Sequence, residues 1–380
     1  MYVLDEPSIG LHPANVDGLL GVMRDLKAQD NTVIVVDHDT RVLRATDWII
    51  EMGPGAGAHG GTVIAQGTVE DVKRSPHSLI APFLASEHSQ IVRPQTPADA
   101  MFSEGAIGIK TAPLHTVHAL DARVPKHRLT VVTGVSGSGK TTLVLESLVP
   151  ALTARIADEQ MPEHVRALDA PDIERVTMID ATPIGANVRS TVATYSGVLD
   201  DLRRLFARTE AAKARGLTAG AFSYNTGSLR CPTCGGTGQI TLDVQFLPDV
   251  DIDCPDCHGT RYSDEAGEIT WEPKGGHAPV SLPDLLAMTV DEARKVFAGT
   301  SQRRLRAKLD TLHELGIGYM TLGESTPALS GGEAQRLKLA SEMGRAQEGT
   351  LFVFDEPTIG LHPLDVRTLI GVFQKLIDQG

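Results

Sequence analysis

The phrase Asp355-Glu356-Pro357-Thr358-Ile359-Gly360-Leu361-His362-Pro363 constrains this chain most. It is a near copy of Asp5-Glu6-Pro7-Ser8-Ile9-Gly10-Leu11-His12-Pro13, which lies 350 positions earlier. Only Ser8 and Thr358 differ, and the agreement continues at Val3/Val353, Val16/Val366, Leu19/Leu369, Gly21/Gly371, Val22/Val372 and Leu26/Leu376. A repeat at that distance marks duplicated domains, not a solenoid. Each copy predicts a buried apolar strand ending in two carboxylates, then a turn, then a helix with apolar residues at helical spacing. Acids at the C-terminal end of a buried strand point to a metal or ligand site.

The 380 residues allow two or three domains, and 41% hydrophobic residues suffice for ordinary cores. With a net charge of −13, any contact with nucleic acid needs a local basic surface, because the chain as a whole is repelled by phosphate. There is no apolar run of about 18 residues and no basic-then-apolar start, so a soluble, cytoplasmic chain without membrane insertion is expected.

An α/β reading follows from the order of motifs. Residues 1–84 read as the closing part of one α/β domain: a strand to Glu6, a helix from about Ala14 to Lys27, and a strand Thr32–Asp37 followed directly by His38. The strands Asp47–Met52 and Thr62–Ala65 flank a glycine-rich turn, and residues 85–104, polar and broken by proline, read as a linker. A second domain opens at 105–188. There the predicted strand Leu129–Thr133 runs into Gly134-Val135-Ser136-Gly137-Ser138-Gly139-Lys140-Thr141-Thr142 and a helix through Leu148. This is the G-x-x-x-x-G-K-[ST] pattern in its strand–loop–helix setting. Its glycines let backbone N–H groups turn around a phosphate, Lys140 reaches the β- and γ-phosphates, and Thr141 can ligate Mg²⁺.

Residues 189–300 interrupt that domain. Between Arg189 and Arg230 there are seven basic residues (Arg189, Arg203, Arg204, Arg208, Lys213, Arg215, Arg230) and three acidic ones, interleaved with Tyr195, Phe206, Phe222 and Tyr224. The pattern fits phosphate neutralisation with base stacking, and equally a solvated basic helix with core aromatics. Cys231-Pro-Thr-Cys234 and Cys254-Pro-Asp-Cys257 follow, nineteen residues apart, with Leu242, Val244 and Phe246 alternating as in a ribbon strand. Two such knuckles suit a closed, structural tetrahedral Zn²⁺ site, with His258 as the only spare donor. Helices are expected over Pro283–Phe297 and Gln302–Leu315. In residues 301–380, Leu329-Ser330-Gly331-Gly332-Glu333-Ala334-Gln335-Arg336 opens another helix ahead of the second Asp-Glu strand.

Taken in order, Gly134–Thr142, Leu329–Arg336 and Leu351–Glu356 resemble the Walker A, signature and Walker B motifs of an ATP-binding cassette. Within that superfamily, SGGEAQR, GVSGSGKTT, the repeated Asp-Glu-Pro phrase and the zinc module between Walker A and signature resemble the UvrA family, damage-sensing ATPases of bacterial nucleotide excision repair. The resemblance implies an ABC-type P-loop NTPase cassette with an inserted zinc-binding and helical region, preceded by the C-terminal part of another cassette. By matching positions, it makes Asp355 a water-mediated Mg²⁺ holder and Glu356 the group that orients or deprotonates the attacking water. Asp5 and Glu6 repeat those roles, and His38 is the γ-phosphate-sensing switch. Ser330, Gly331 and Gly332 close on a γ-phosphate held by the opposing cassette. ATP hydrolysis to ADP and phosphate, damaged duplex DNA, UvrB-like repair subunits and a homodimer of the full-length protein are implied with them.

The resemblance breaks at one place. Where the family carries a glutamine that couples Mg²⁺ and γ-phosphate to the inserted domain, this chain has Ala181, in Ile179-Asp180-Ala181-Thr182-Pro183. That points to weakened hydrolysis or coupling, as in a paralogue linked to resistance against DNA-binding drugs. An exporter ATPase unit fits the zinc module poorly, and a zinc chaperone module leaves the cassette motifs unexplained. The first Asp-Glu copy has no Walker A or signature ahead of it, and the second stops where its switch strand is due, so a fragment needing residues outside these 380 is expected.

Overall fold

The computed structural model describes residues 1–55, 60–85, 96–135, 137–185, 187–242, 250–273, 278–343, 348–358 and 361–378. They form two compact units, Met1–Asp180 with Ala346–Gly380, and Ala181–Arg345.

In the first unit the duplicated segments follow the same strand-to-helix course, but the first strand, expected to be buried, is largely exposed, with Val3 at 63%. Strand Tyr2–Asp5 pairs in parallel with Val33–Val36 across the helix Pro13–Ala28, and strand Thr350–Phe354 pairs in parallel with Arg175–Ile179 ahead of the helix Pro363–Asp378. A parallel pair needs a crossover, which the helix supplies in the first copy. In both copies the histidine of the repeat caps its helix: Ala14 N donates to His12 Nδ1 and Leu364 N to His362 Nδ1, each at 3.2 Å. The side chain thus satisfies one of the N–H groups that a helix start leaves without a partner. Strands Ile49–Gly53 and Thr62–Gly67 form an antiparallel pair. The buried Glu51 of the first of these strands accepts from Leu79 N at 2.7 Å and Ile80 N at 3.0 Å.

Ala106–Thr111 lies between Leu120–Pro125 and Val165–Asp169, antiparallel to both. Ile107 and Ile109 from this sheet pack with Leu148, Ala151 and Leu152 of the helix that follows the glycine loop. That helix is wound as a π-helix over Thr142–Leu148 and as an α-helix over Val149–Ile156. The expected strand Leu129–Thr133 is corrected: among the described residues no strand pairs with it, and Val131 is 75% exposed. The β-forming residues are present, but no ladder partner is laid beside them.

The second unit is mainly helical, with Val198–Phe206, Val290–Phe297, Arg303–Glu314 and Gly331–Met343 as its longer helices. Its core holds Phe206, Phe222, Tyr224, Leu229, Tyr262 and Phe297, all within 2% of complete burial. The single helix expected over Pro283–Phe297 is two, Leu282–Ala287 and Val290–Phe297. Each opens with a reciprocal capping box, Ser281 with Asp284 and Thr289 with Glu292, and the second box ends the first helix. Strands Gln239–Leu242 and Val250–Asp253 pair antiparallel; the expected alternation at Val244 and Phe246 lies outside the described residues.

Candidate nucleotide site and metal centre

A cleft of about 470 Å³ in the first unit is lined by Glu6, Asp37, His38, Gly134, Lys140 and Glu356, among others. It brings together parts of both repeats and the glycine loop. Glu6 and Glu356 take positive φ angles of 44° and 43°. Non-glycine residues rarely adopt that conformation, and its recurrence at both strand ends aims each carboxylate out of the strand direction. Asp5 and Asp355 lie one residue back, both exposed, and are not among the residues lining the cleft. Asp355 N extends the parallel ladder to Ile179 O at 3.2 Å.

His38 Nε2 is 3.4 Å from Glu6 Oε1, and its ring meets that of His362 edge-on with centroids 5.9 Å apart. Asp37 holds this corner. Its carboxylate accepts from Ser8 Oγ at 2.6 Å, His38 N at 2.7 Å and Asp39 N at 2.9 Å. The sequence reading placed Asp37 only as a strand end and left His362 without a role. The available signal was the acid directly before His38, which can cap the turn it begins.

In the glycine loop, Lys140 Nζ donates to Gly134 O at 2.8 Å and Val135 O at 3.1 Å. The ammonium therefore sits inside the glycine loop. Gly139 is required there: its φ is 92°, and a Cβ would lie 2.2 Å from Val117 Cγ2. Gly137, Ser138 and Thr141 are exposed and Thr142 is buried, while Ser136 lies outside the described residues. Thr141 is thus the hydroxyl of the pair with access to a ligand.

In the second unit the turn Ser330–Gly332 starts the helix Gly331–Met343. Glu333 caps it: Oε2 accepts from Ser330 N at 2.8 Å and Ser330 Oγ at 2.9 Å, and the Tyr319 hydroxyl donates to Oε1. Burial opposes ionisation of Glu333, but these hydrogen bonds outweigh it and hold the carboxyl below its ordinary range. Ala181 is exposed, and a Cβ built on Gly331 would lie 3.3 Å from Ala181 Cβ.

Cys231, Cys234, Cys254 and Cys257 converge with all four Sγ atoms within 4.8 Å of one another. Two of the separations are 3.8 Å, Cys231 to Cys254, and 3.7 Å, Cys234 to Cys257. A tetrahedron with Zn–S bonds of about 2.3 Å has sulfur–sulfur edges of about 3.8 Å, so the cluster fits Zn²⁺. Burial pushes the Cys257 thiol up to about 12. At Cys234 the same burial is overcome by the N–H groups of Gly238 and Gly236, which bring that thiol down to about 7. Gly236 has a φ of 86° and passes so close to Tyr224 that a Cβ would lie 1.8 Å from its carbonyl oxygen.

Three of the aromatics interleaved with the basic residues belong to the core. Phe206, Phe222 and Tyr224 are completely buried and cannot stack on bases. Arg189, Arg203 and Arg230 donate to carbonyl oxygens of Gly235, Ala219 and Asn225, while Arg204, Lys213 and Arg215 pair with acids.

No protein-family model matches the chain. It is 44% identical over 384 residues to the UvrABC system protein A of Thermus thermophilus, covering 100% of this chain and 39% of that protein. To the UvrABC system protein A of Bacillus subtilis it is 42% identical, again over 100% of this chain and 39% of the relative. A crystal structure of UvrA2 from Deinococcus radiodurans matches with a TM-score of 0.85 at 44% identity, over 100% of this chain and 44% of that one. Over its whole length the chain matches a part of UvrA proteins. It spans about two fifths of the length of these curated relatives. The UvrA match fixes the fold as an ABC-type P-loop NTPase cassette with an inserted zinc-binding and helical region, preceded by the C-terminal part of another cassette. Among the described residues, no helix is long and apolar enough to cross a membrane.

Proposed function

We propose that this chain is the ATP-hydrolysing, DNA-engaging segment of a UvrA-type damage-recognition protein of nucleotide excision repair, acting in the cytoplasm. The observation that carries the reading is the cleft in which Lys140 and Glu356 meet Glu6 and His38 of the other copy. Lys140 and the loop N–H groups bind and orient the phosphates, and Glu356 takes the proton of the attacking water. Asp355 and Thr141 would hold Mg²⁺, which neutralises phosphate charge. Asp5 and Glu6 play the same parts in the other cassette, with His38 reading the γ-phosphate. Ser330, Gly331 and Gly332 donate to the γ-phosphate of the opposing cassette after Glu333 yields the Ser330 hydroxyl. The finer division into 1–84, linker 85–104, 105–188, 189–300 and 301–380 belongs to the same reading.

The partners that follow are damaged duplex DNA, a UvrB-like subunit and a second copy of the full-length protein. Relatives named as UvrABC system protein A in several bacteria support repair over a drug-resistance paralogue or an exporter ATPase. Duplex binding by the complete protein tests it. Affinity should fall with a linear dependence of log K on log salt, and absence of binding at low salt rejects the reading.

A further inference from the structure

Arg261 is a charged side chain only 6% exposed, and among the described residues no carboxylate pairs with it. Its Nη1 donates to Val188 O at 3.0 Å and its Nη2 to Ser325 Oγ at 2.8 Å, with the guanidinium 5.3 Å from the centre of the Tyr224 ring. A charge this deep needs compensation. Cys234 and Cys257 of the cysteine cluster lie within electrostatic reach of it. Four thiolates around Zn²⁺ carry a net charge of about −2, which a buried guanidinium offsets.

The backbone of the same residue closes the metal module. Arg261 O accepts from Cys231 N at 3.0 Å, and its φ of 72° marks a conformation that the surroundings impose. On the far side, Ser325 and Thr326 are tied to the segment after Ala181. Thr326 N donates to Ser190 O at 2.9 Å and Thr326 Oγ1 to Ile184 O at 3.2 Å. Four residues after Thr326 the chain reaches Ser330.

We propose that Arg261 is a positioning residue that carries the metal occupancy of the cysteine cluster to the Ser330–Gly332 turn, through Ser325 on one side and Val188 on the other. This rests on the reading that the cluster holds zinc. With the metal bound, the knuckles hold Arg261 and its fork fixes the lead-in to the signature helix. With the metal gone, Arg261 loses its anchor, and the lead-in loosens although none of its own residues has changed.

Hydrogen exchange in the 380-residue chain tests the coupling, read at the Thr326, Leu329 and Ala334 amides with zinc bound and after chelation. In the wild type, chelation should speed exchange there roughly tenfold or more. In R261M the segment should exchange at the fast level with zinc still bound, and chelation should change it by less than about twofold. R261K keeps the charge without the fork and should fall between the two. Exchange in Val198–Phe206 should match the wild type in both zinc-bound variants, which separates coupling from general loosening. S325A removes one anchor and should shift the segment in the same direction, and it carries the test if R261M does not fold. Wild-type exchange in zinc-bound R261M, or chelation acting equally on both proteins, overturns the proposal. Absence of tetrahedral thiolate absorption with Co²⁺ in the wild type would instead overturn the zinc reading, and the coupling with it.

Discussion

Glu6 and Glu356 each leave their strand in a left-handed conformation, φ 44° and 43°. Such a conformation costs on the order of 1–3 kcal/mol and persists only where surrounding structure over-determines it. Two homologous positions bearing the same strain and facing the same cleft imply that the carboxylate direction matters more than local stability. Glu356→Gln keeps the shape and removes the proposed base, so ATP turnover by the full-length protein should fall by about 10²–10⁴ while nucleotide binding is retained; steady-state kinetics with a binding titration checks both. His362 supplies a pH dependence. Burial of its ring, followed by the charge of His38, lowers its pKa below the ordinary value. The unfolded chain then takes up the proton more readily, so this contribution to stability is complete above about pH 6.5 and is lost as pH falls towards the lower folded value. His362→Asn keeps a helix cap and should flatten that loss, measured as urea midpoints at about pH 7.5 and 5.5. The residue identities were legible in the sequence, and their backbone angles were not. Nothing in Asp-Glu-Pro announces a positive φ, because tertiary contacts rather than propensity impose it.

At the level of elements, the cysteine module shows what spacing can and cannot give. Two C-x-x-C pairs announced four converging thiols, and the Sγ separations of 3.7 and 3.8 Å bear that out. The same sequence gave no sign that Arg261 runs from this module to Val188 and Ser325, since those contacts join residues 73 and 64 positions apart. Cys254→Ser should abolish stoichiometric zinc in the purified chain, measured by elemental analysis, and lose protection of the ribbon amides. A module this small draws its folding free energy from the metal. The break between Leu282–Ala287 and Val290–Phe297 was written in Thr289 and Glu292, a capping box in the middle of an apolar pattern that reads as one helix when only periodicity is followed. The strand expected at Leu129–Thr133 fails for the opposite reason. Its residues have the right propensity, but a strand exists only where another chain segment pairs with it.

Across the whole molecule, the repeat at Asp5 and Asp355 determines the organisation. Residues 350 positions apart become neighbours around one cleft, where Lys140 joins them. The UvrA match and the insertion that carries the four-cysteine cluster agree with motif order. In the basic segment the aromatics Phe206, Phe222 and Tyr224 belong to the core, while Arg204 and Lys213 stay more than half exposed beside their acidic partners. The measurement that bears most directly on the cleft is calorimetric titration of the 380-residue chain with Mg²⁺ and a slowly hydrolysed ATP analogue, beside Lys140→Ala. A charge-assisted contact to phosphate is worth roughly 1.5–3 kcal/mol, so saturable binding to the wild type should weaken by about 10- to 100-fold in the variant. Equal affinity in the two proteins, or no binding to the wild type, would contradict the assignment of this cleft as a nucleotide site.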